Sequence, residues 1–296
     1  MSTLMRKLVF GIIGLLAGLA AWPAAEFILA LQSGFPSYLV FTITLGVFFG
    51  AIMGGFLGSV EGITLSVRSR ILPGIVTGIL VGAIGGAVGF LIGQGALFLV
   101  SDLFFHSNKA MQSYGIPISR TIGWGFLGLF IGTVEGVRAR SWTKIKVGLV
   151  GGIVGGILGG CVIEYLRILY PAFTYTRLVG LLILGFLIGL FYGLFEKRFS
   201  QGVLKLLNGK LKGKEYLLVQ KTIRVGNSDK ADIHLAGYQN VADIHAVLKT
   251  VKGEIVIKNV QTENRILVNE LNVTEEKLKF QDVVQIGAAK FLFFYN

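Results

Sequence analysis

The chain has 296 residues, a mean hydropathy of +0.71 and 15% charged residues, whereas soluble domains have about 25%. This composition excludes a wholly soluble protein. The net charge is +12, and the basic residues lie between apolar runs rather than on one soluble face, which argues against a nucleic-acid partner. A single cysteine, Cys161, excludes an internal disulfide and a cysteine-rich metal site. Of the 42 glycines, 35 precede residue 200, so an apolar region is followed by a polar one.

Six apolar runs are long enough to cross a hydrocarbon core of about 30 Å, which takes about 20 helical residues. They lie at 8–31, 38–60, 72–100, 117–137, 147–170 and 178–195. The third run is the longest and is expected to tilt or to extend past the bilayer. Residues 1–198 are therefore predicted to form a polytopic α-helical transmembrane bundle of about six spans.

Basic residues predict the orientation of these spans, because lysine and arginine concentrate in cytoplasmic loops. They cluster before the first run, after the second, after the fourth and after the sixth: Arg6, Lys7, Arg68, Arg70, Arg138, Arg140, Lys144, Lys146, Lys197 and Arg198. We expect both termini in the cytoplasm and the protein in the inner (plasma) membrane. A cleaved signal peptide ending near Ala24-Ala25 is the alternative for the first run, but apolar sequence continues to Leu31 and favours a retained helix.

The apolar region contains an internal repeat. Gly58–Gly62 reads Gly-Ser-Val-Glu-Gly, and 132–136 reads Gly-Thr-Val-Glu-Gly. Each is followed by a basic loop and a glycine-rich helix, and the glycines of these two helices correspond at a constant offset of 70 residues. Weaker matches at 7–18 and 185–198 complete a prediction of three helical hairpins of about 65–70 residues.

Glycine at every fourth position forms a groove along one helix face, which lets two backbones approach closely in a bilayer. Gly46, Gly50, Gly54 and Gly58 form one such face. The pattern predicts a tightly packed bundle. A glycine-faced oligomer, or a sliding surface that transports or conducts, remains an alternative interpretation.

Two carboxylates occupy equivalent repeat positions at the cytoplasmic ends of the second and fourth spans. They are Glu61 and Glu135, with Arg68 and Arg138 nearby. Ionisable groups in spans are costly and are therefore candidates for function. Because these two lie near a basic loop, pairing with arginines is the favoured interpretation, and an ion path is the alternative.

The pattern changes after residue 198. Residues 199–214 are rich in lysine and are interpreted as a basic juxtamembrane linker. From 215 onward, short alternating runs of β-branched and aromatic residues are separated by Gly, Asn and Asp, which is typical of a β-sandwich. The fold class is therefore α plus β in two domains, with an all-β domain at 215–296.

The motifs of this β region resemble the forkhead-associated (FHA) family, whose sandwich binds phosphothreonine peptides through its loops. The matching segments are Ile223–Gly226, Ala231–Leu235, Val241–His245, 262–264 with Val268–Asn269, and Leu278–Gly287. The resemblance covers about 215–296. It implies a cytoplasmic protein-interaction module in which His245 is structural.

The resemblance also marks loop positions for peptide binding. They are Asn227, Ser228, Ala242, Thr262, Asn264 and Arg265. Asn227, Ala242 and Arg265 stand where the family has an arginine, a phosphate-binding serine and a glycine. Phosphate needs convergent charge-assisted donors. We therefore expect a degenerate module that binds a protein partner without strict dependence on phosphothreonine.

No Walker loop, HExxH motif or nucleophile elbow occurs, and His106, His234 and His245 are scattered, so neither an enzyme nor a cofactor or metal site is expected. The first hypothesis is a membrane-anchored adaptor or scaffold in signalling or in assembly of a membrane complex. The alternatives are a channel or transporter regulated by its FHA-like domain, and a structural subunit of a larger assembly. Homo-oligomerisation is a further expectation.

Overall fold

A computed structural model describes residues 2–104, 108–261 and 264–295. The chain divides into two compact units. The helical unit consists of 7–63 and 70–195, and the β unit consists of 1–6, 64–69 and 196–296. The division near residue 196 lies close to the predicted end of the helical region at 198, and the segments 1–6, 64–69 and 199–214 group with the β unit.

The described residues contain six long helices and one short one. Their bounds are α1 Thr3–Ala30, α2 Tyr38–Leu65, α3 Ile71–Phe104, α4 Asn108–Ala110, α5 Ile116–Arg138, α6 Trp142–Leu169 and α7 Thr176–Arg198. A π-helical turn at Met111–Gly115 precedes α5. Ser141 caps α6 by accepting a hydrogen bond from the backbone N–H of Lys144, which is the usual role of serine at this position.

Five of these helices, α1, α2, α3, α6 and α7, are long and apolar enough to cross a membrane. The remaining long helix, α5, includes Arg120, Glu135 and Arg138 and is less apolar. The α plus β architecture with membrane helices is therefore confirmed. The number of passes and their orientation stay predictions.

Glycines bring α2 and α3 into backbone contact. A Cβ atom at Gly54 would overlap the carbonyl oxygen of Gly78, and a Cβ at Gly78 would overlap that of Gly54. The same reciprocal relation holds for three further pairs: Gly46 with Gly86, Gly50 with Gly82, and Gly58 with Gly74. This antiparallel hairpin thus has a continuous seam in which no side chain separates the two helices.

A second seam joins α5 and α6. Its pairs are Gly128 with Gly152 and Gly132 with Gly148. Since Gly54 faces Gly78 and Gly128 faces Gly152, both helices of the second hairpin correspond to the first at an offset of 74. The predicted offset of 70 between α3 and α6 is therefore one helical turn out of register. The cause is that glycines at every fourth position match equally well after a shift of one turn.

A third antiparallel pair is formed by helices far apart in sequence. A Cβ at Gly14 of α1 would overlap the carbonyl oxygen of Gly185 of α7, and one at Gly189 would overlap that of Phe10. The weak outer matches in the sequence, at 7–18 and 185–198, thus lie on a pair of helices that contact each other in the same way as the two hairpins.

The β unit is a sandwich of a six-stranded and a five-stranded sheet. The strands are β1 Val203–Leu206, β2 Glu215–Leu217, β3 Thr222–Gly226, β4 Ile233–His234, β5 Ala246–Val251, β6 Glu254–Asn259, β7 Ile266–Val268, β8 Leu271–Val273, β9 Glu275–Lys277, β10 Val283–Ile286 and β11 Ala289–Phe294. Their orders are β2-β1-β11-β10-β7-β8 and β4-β3-β5-β6-β9. All pairs are antiparallel except β3 with β4. The predicted β-sandwich is confirmed.

The alternating pattern of these strands produces one core. Inward side chains such as Val225, Ile257, Val284 and Phe291 are fully buried, whereas alternate residues face outward. Because successive side chains of a strand point to opposite faces, this period of two places the apolar residues between the sheets.

The segment 199–214, interpreted from its lysines as a linker, contains strand β1. Val203–Leu206 pairs with β11 on one side and with β2 on the other, and Leu204 and Leu206 are fully buried. The linker prediction was wrong because it was based on the lysines of this segment. Lys205 lies between these leucines and points away from the core, so it is compatible with a strand. The sandwich therefore begins before residue 215.

This position of β1 predicts different behaviour for two soluble fragments. A fragment 199–296 should unfold cooperatively in urea, whereas a fragment 215–296 should not, because it loses two buried leucines worth about 2 kcal/mol each and leaves the edge of β11 unpaired. Amide chemical-shift dispersion and urea unfolding measure the difference. Equal stability of the two fragments would contradict the assignment of β1 to the sandwich.

The glycine seams predict a position-specific effect of alanine. Gly54→Ala should destabilise the full chain in detergent by about 3 kcal/mol, because the new methyl group must push two backbones apart. Gly95→Ala, on the exposed face of α3 with no atom near its Cβ, is the matched control and should be neutral or stabilising. Thermal unfolding followed by circular dichroism tests both, and similar losses in the two variants would refute the seam.

Candidate functional site

The loops at one end of the sandwich place the predicted peptide-binding residues. Asn227 and Ser228 follow β3, Ala242 lies in the loop before β5, and Asn264 and Arg265 precede β7. Asn227 and Arg265 are exposed, and the other three are half-buried. Thr262 lies outside the described residues.

Backbone hydrogen bonds hold the first two loops together. The N–H of Asn227 donates to the carbonyl of Ala242 at 2.9 Å, and that of Ser228 donates to Asp243 at 3.1 Å. A Cβ at Gly226 would overlap the carbonyl oxygen of Asp243. The glycine that ends the first motif is thus required by the close approach of these loops.

His245 connects the second loop to the third. It is fully buried, its Nδ1 accepts from the Ala242 N–H at 3.4 Å, and its Nε2 lies 3.3 Å from the carbonyl oxygen of Arg265. Burial lowers the pKa of its imidazole below the ordinary value. A neutral ring that donates through Nε2 fits both contacts. This geometry is that of a structural residue which fixes the loops around the site.

The third loop is held by asparagines. The Asn259 side-chain amide donates to the carbonyl of Asn264 at 2.6 Å, and the Asn264 side chain donates to the Gln261 side chain at 3.3 Å. The Asn264 amide is therefore engaged within its own loop. Of the polar groups predicted to bind a peptide, the Ser228 hydroxyl also has a local role, since it accepts from the N–H of Lys230 at 3.3 Å.

The charges of the three loops do not favour phosphate. Their segments, 227–232, 235–245 and 260–265, contain two cationic and four anionic residues in sequence. The cations are Lys230 and Arg265, and the anions are Asp229, Asp232, Asp243 and Glu263. Asp232 pairs with Arg224 of β3 at 3.5 Å, which leaves three anionic residues against two cations. A phosphate oxyanion would therefore approach a loop set with a small excess of negative charge, which weakens binding.

The second set of candidates, Glu61 and Glu135, belongs to a buried charge cluster completed by Arg138 and Lys144. The Lys144 ammonium lies 2.8 Å from Glu61 Oε1. Arg138 Nη2 lies 3.0 Å from Glu61 Oε2 and 3.0 Å from Glu135 Oε2. The charge cluster therefore joins α2, α5 and α6.

The charge cluster is nearly closed to solvent and balanced. Glu61, Glu135 and Lys144 are 4%, 2% and 6% exposed, and two carboxylates face two cations. Charges in a low-dielectric interior are stable only when paired with good geometry. Pairing of Glu135 with Arg138 agrees with the favoured interpretation. Arg68, the other predicted partner, is exposed, and its place beside Glu61 is taken by Lys144 and Arg138.

Sequence reasoning missed one counterpart of this pairing. In the β unit, Arg6 donates to both oxygens of Glu196, from Nε at 2.7 Å and from Nη2 at 2.8 Å. Glu196 stands three residues after Gly193, as Glu61 stands three residues after Gly58. The weak repeat match at 185–198 already included Glu196, and this shared spacing is the signal that could have indicated an arginine partner for it.

A comparison with protein families finds a match to the β unit. Residues 205–296 match the family described as inner membrane component of T3SS, cytoplasmic domain (Yop-YscD). The match begins within β1 and includes all the remaining strands. No significant match to a curated protein was found.

Solved FHA domains are similar to the same part of the chain. One from Chlamydia trachomatis is 24% identical over 32% of this chain and 97% of its own, with a TM-score of 0.30. One from an Arabidopsis thaliana hypothetical protein is 22% identical over 32% of this chain and 84% of its own, also with a TM-score of 0.30. The N-terminal FHA domain of S. cerevisiae Rad53p, in complex with a phosphothreonine peptide, is 15% identical over 32% of this chain and 93% of its own, with a TM-score of 0.29. These similarities fall on the same part of the chain as the motifs that resemble the FHA family.

The charge cluster yields a test of its role. Glu61→Gln should destabilise the full chain by about 3–5 kcal/mol, because Lys144 stays buried without its closest partner. Glu26→Gln is the matched control, since Glu26 pairs with Arg177 at 3.0 Å with both side chains substantially exposed, and it should cost under about 1 kcal/mol. Thermal unfolding in detergent measures both.

A second variant distinguishes a structural role of the charge cluster from a role in transport. The double change Glu61→Gln and Lys144→Met should recover part of the lost stability, because it removes the unpaired charge. If instead Glu61→Gln unfolds like the wild type but abolishes solute flux in proteoliposomes, the cluster is a transport site.

Proposed function

We propose that this protein is a membrane-anchored adaptor, without catalytic activity, that presents its FHA-like domain to a protein partner in a membrane complex. The proposal is supported by the combination of apolar helices with an interaction-type sandwich. The family matched by residues 205–296 is described as a cytoplasmic domain of an inner membrane component, which supports the inner membrane as location and the cytoplasm as the side on which the domain lies.

The partner is recognised without phosphothreonine. The observation that carries this proposal is the charge of the three loops, in which four anionic residues outnumber two cations. Asn227 and Ala242, at the positions where the resemblance implies an arginine and a serine, offer neither a charge nor a hydroxyl for phosphate. The Ser228 hydroxyl and the exposed Arg265, with Thr262, supply hydrogen bonds to a peptide or a folded partner instead.

The charge cluster serves this function by fastening the bundle. Its two carboxylates and two cations join three helices and give each ion at least one partner of opposite charge, although Oε1 of Glu135 is buried without a hydrogen bond to any described residue. This pairing supports a structural role for Glu61 and Glu135 rather than an ion path. The six-pass arrangement with both termini in the cytoplasm is part of the same proposal, and it is supported by the basic loops.

A peptide titration tests the recognition mode. The full chain in detergent should bind a phosphothreonine peptide and its dephosphorylated form equally weakly. The variant Asn227→Arg/Ala242→Ser should gain a preference of about tenfold for the phosphorylated form, because it restores a cation and a hydroxyl. Calorimetry or fluorescence anisotropy measures both. Wild-type binding that disappears on dephosphorylation would overturn the proposed mode.

Partner capture completes that test. Protein captured by the full chain from solubilised membranes should persist after phosphatase treatment and should be lost in Ser228→Ala/Arg265→Ala. Lys249→Ala, an exposed change on β5, is the matched control and should retain the partner. Capture that is equal in all three chains would contradict recognition through these loops.

A further inference from the structure

A cavity of about 420 Å³ lies inside the helical unit. Its volume falls in the range of about 300–1,000 Å³ that is typical of ligand pockets. Each of the six long helices contributes to its lining. It includes neither Glu61 nor Glu135, so it is separate from the charge cluster described above.

Three arginines from three helices line this cavity: Arg120 from α5, Arg167 from α6 and Arg177 from α7. Arg120 Nη1 and Arg167 Nη1 lie 3.3 and 3.5 Å from the same oxygen, Oε2 of Glu164. The other oxygen of Glu164 accepts from the indole N–H of Trp124 at 3.2 Å. One buried carboxylate, 3% exposed, thus orients two guanidinium groups towards one another.

The arginines exceed their counter-ions. Glu164 pairs with both Arg120 and Arg167, and Glu26 pairs with Arg177 at 3.0 Å. Among the described residues of this site, three cations are therefore paired with two carboxylates. The arginine side chains are 43–46% exposed. Since a guanidinium has five N–H donors in a planar fork, each arginine can still bind an oxyanion in two-pronged fashion.

The remainder of the wall is apolar and aromatic. Trp124 lies one helical turn beyond Arg120 on α5, and its ring meets Phe90 edge-on at 5.3 Å and Phe49 at 5.4 Å between centroids. Within the cavity, the Gln94 side chain donates to the Thr42 hydroxyl at 2.6 Å. A cationic end and an aromatic wall in one cavity are complementary to an amphiphile with an anionic head.

We propose that this cavity binds an anionic phospholipid, with the phosphate on Arg120, Arg167 and Arg177 and an acyl chain along Phe49, Phe90 and Trp124. A phosphate oxyanion compensates the one positive charge by which the three arginines exceed their two carboxylates, and such net charge is costly in a membrane. Hydrocarbon fills the apolar part, which a hydrated inorganic ion would leave empty. The inference is independent of the adaptor function, because it concerns the helical unit alone.

Lipid competition on the purified full chain tests the proposal. In neutral detergent, short-chain phosphatidylglycerol should bind about tenfold more tightly than phosphatidylcholine with the same chains, as judged by native mass spectrometry. Arg167→Gln and Arg177→Gln should each reduce this preference severalfold. Arg167→Lys should retain part of it, because the charge remains without the planar fork. The exposed Arg68→Gln is the matched control and should retain all of it.

Each contrary result has a definite meaning. Equal binding of the two lipids, or a preference that Arg167→Gln and Arg177→Gln leave unchanged, would overturn the proposal. Saturable binding of inorganic phosphate without a preference between the lipids would also overturn it, since the site would then belong to a free anion. If Arg167→Gln fails to fold, Arg177→Gln decides the question, because its pair with Glu26 is at the surface.

Discussion

Contact between helix backbones is the constraint on which the helical unit depends. In a bilayer, helices gain little by hiding apolar side chains from lipid, so they associate through close packing. Glycine pairs such as Gly54 with Gly78 and Gly128 with Gly152 remove every side chain from the seam. Such contacts hold only when the register is kept, because displacement by one residue brings a bulky side chain between the helices.

Ion pairs add a constraint that the glycines lack. Glycine seams repeat every four residues and are therefore compatible with a slip of one turn, whereas an ion pair is not. Arg6 binds Glu196 and so fixes α1 against α7 across their own seam, whereas Glu61 binds Lys144 and Arg138 and so fixes α2 against the α5–α6 hairpin. Specificity of arrangement thus comes from a few buried ions, and closeness of packing comes from the glycines.

Periodicity in the sequence was sufficient for the architecture, because span length and strand alternation are local properties. It was insufficient where the answer depended on a distant partner. The strand at Val203–Leu206 looked like a linker since only its pairing with β11 and β2 identifies it. The predicted repeat offset between α3 and α6 is one helical turn too short, because glycines at every fourth position match equally well after a shift of one turn. Loop positions such as Asn227 and Ala242 were located by motif, but the bonds through His245 that join the loops required coordinates.

The pairing of α1 with α7 has a consequence for biosynthesis. The first helix is made early, yet its glycine groove is filled only by the last helix of the unit, through contacts such as Gly14 with Gly185. Until α7 inserts, the glycine groove of α1 has no helix to pack against and faces lipid. The α2–α3 and α5–α6 hairpins, in contrast, can form as soon as their two helices have been made. The seam between α1 and α7 therefore cannot form before the last helix has been synthesised, whereas the other two seams can.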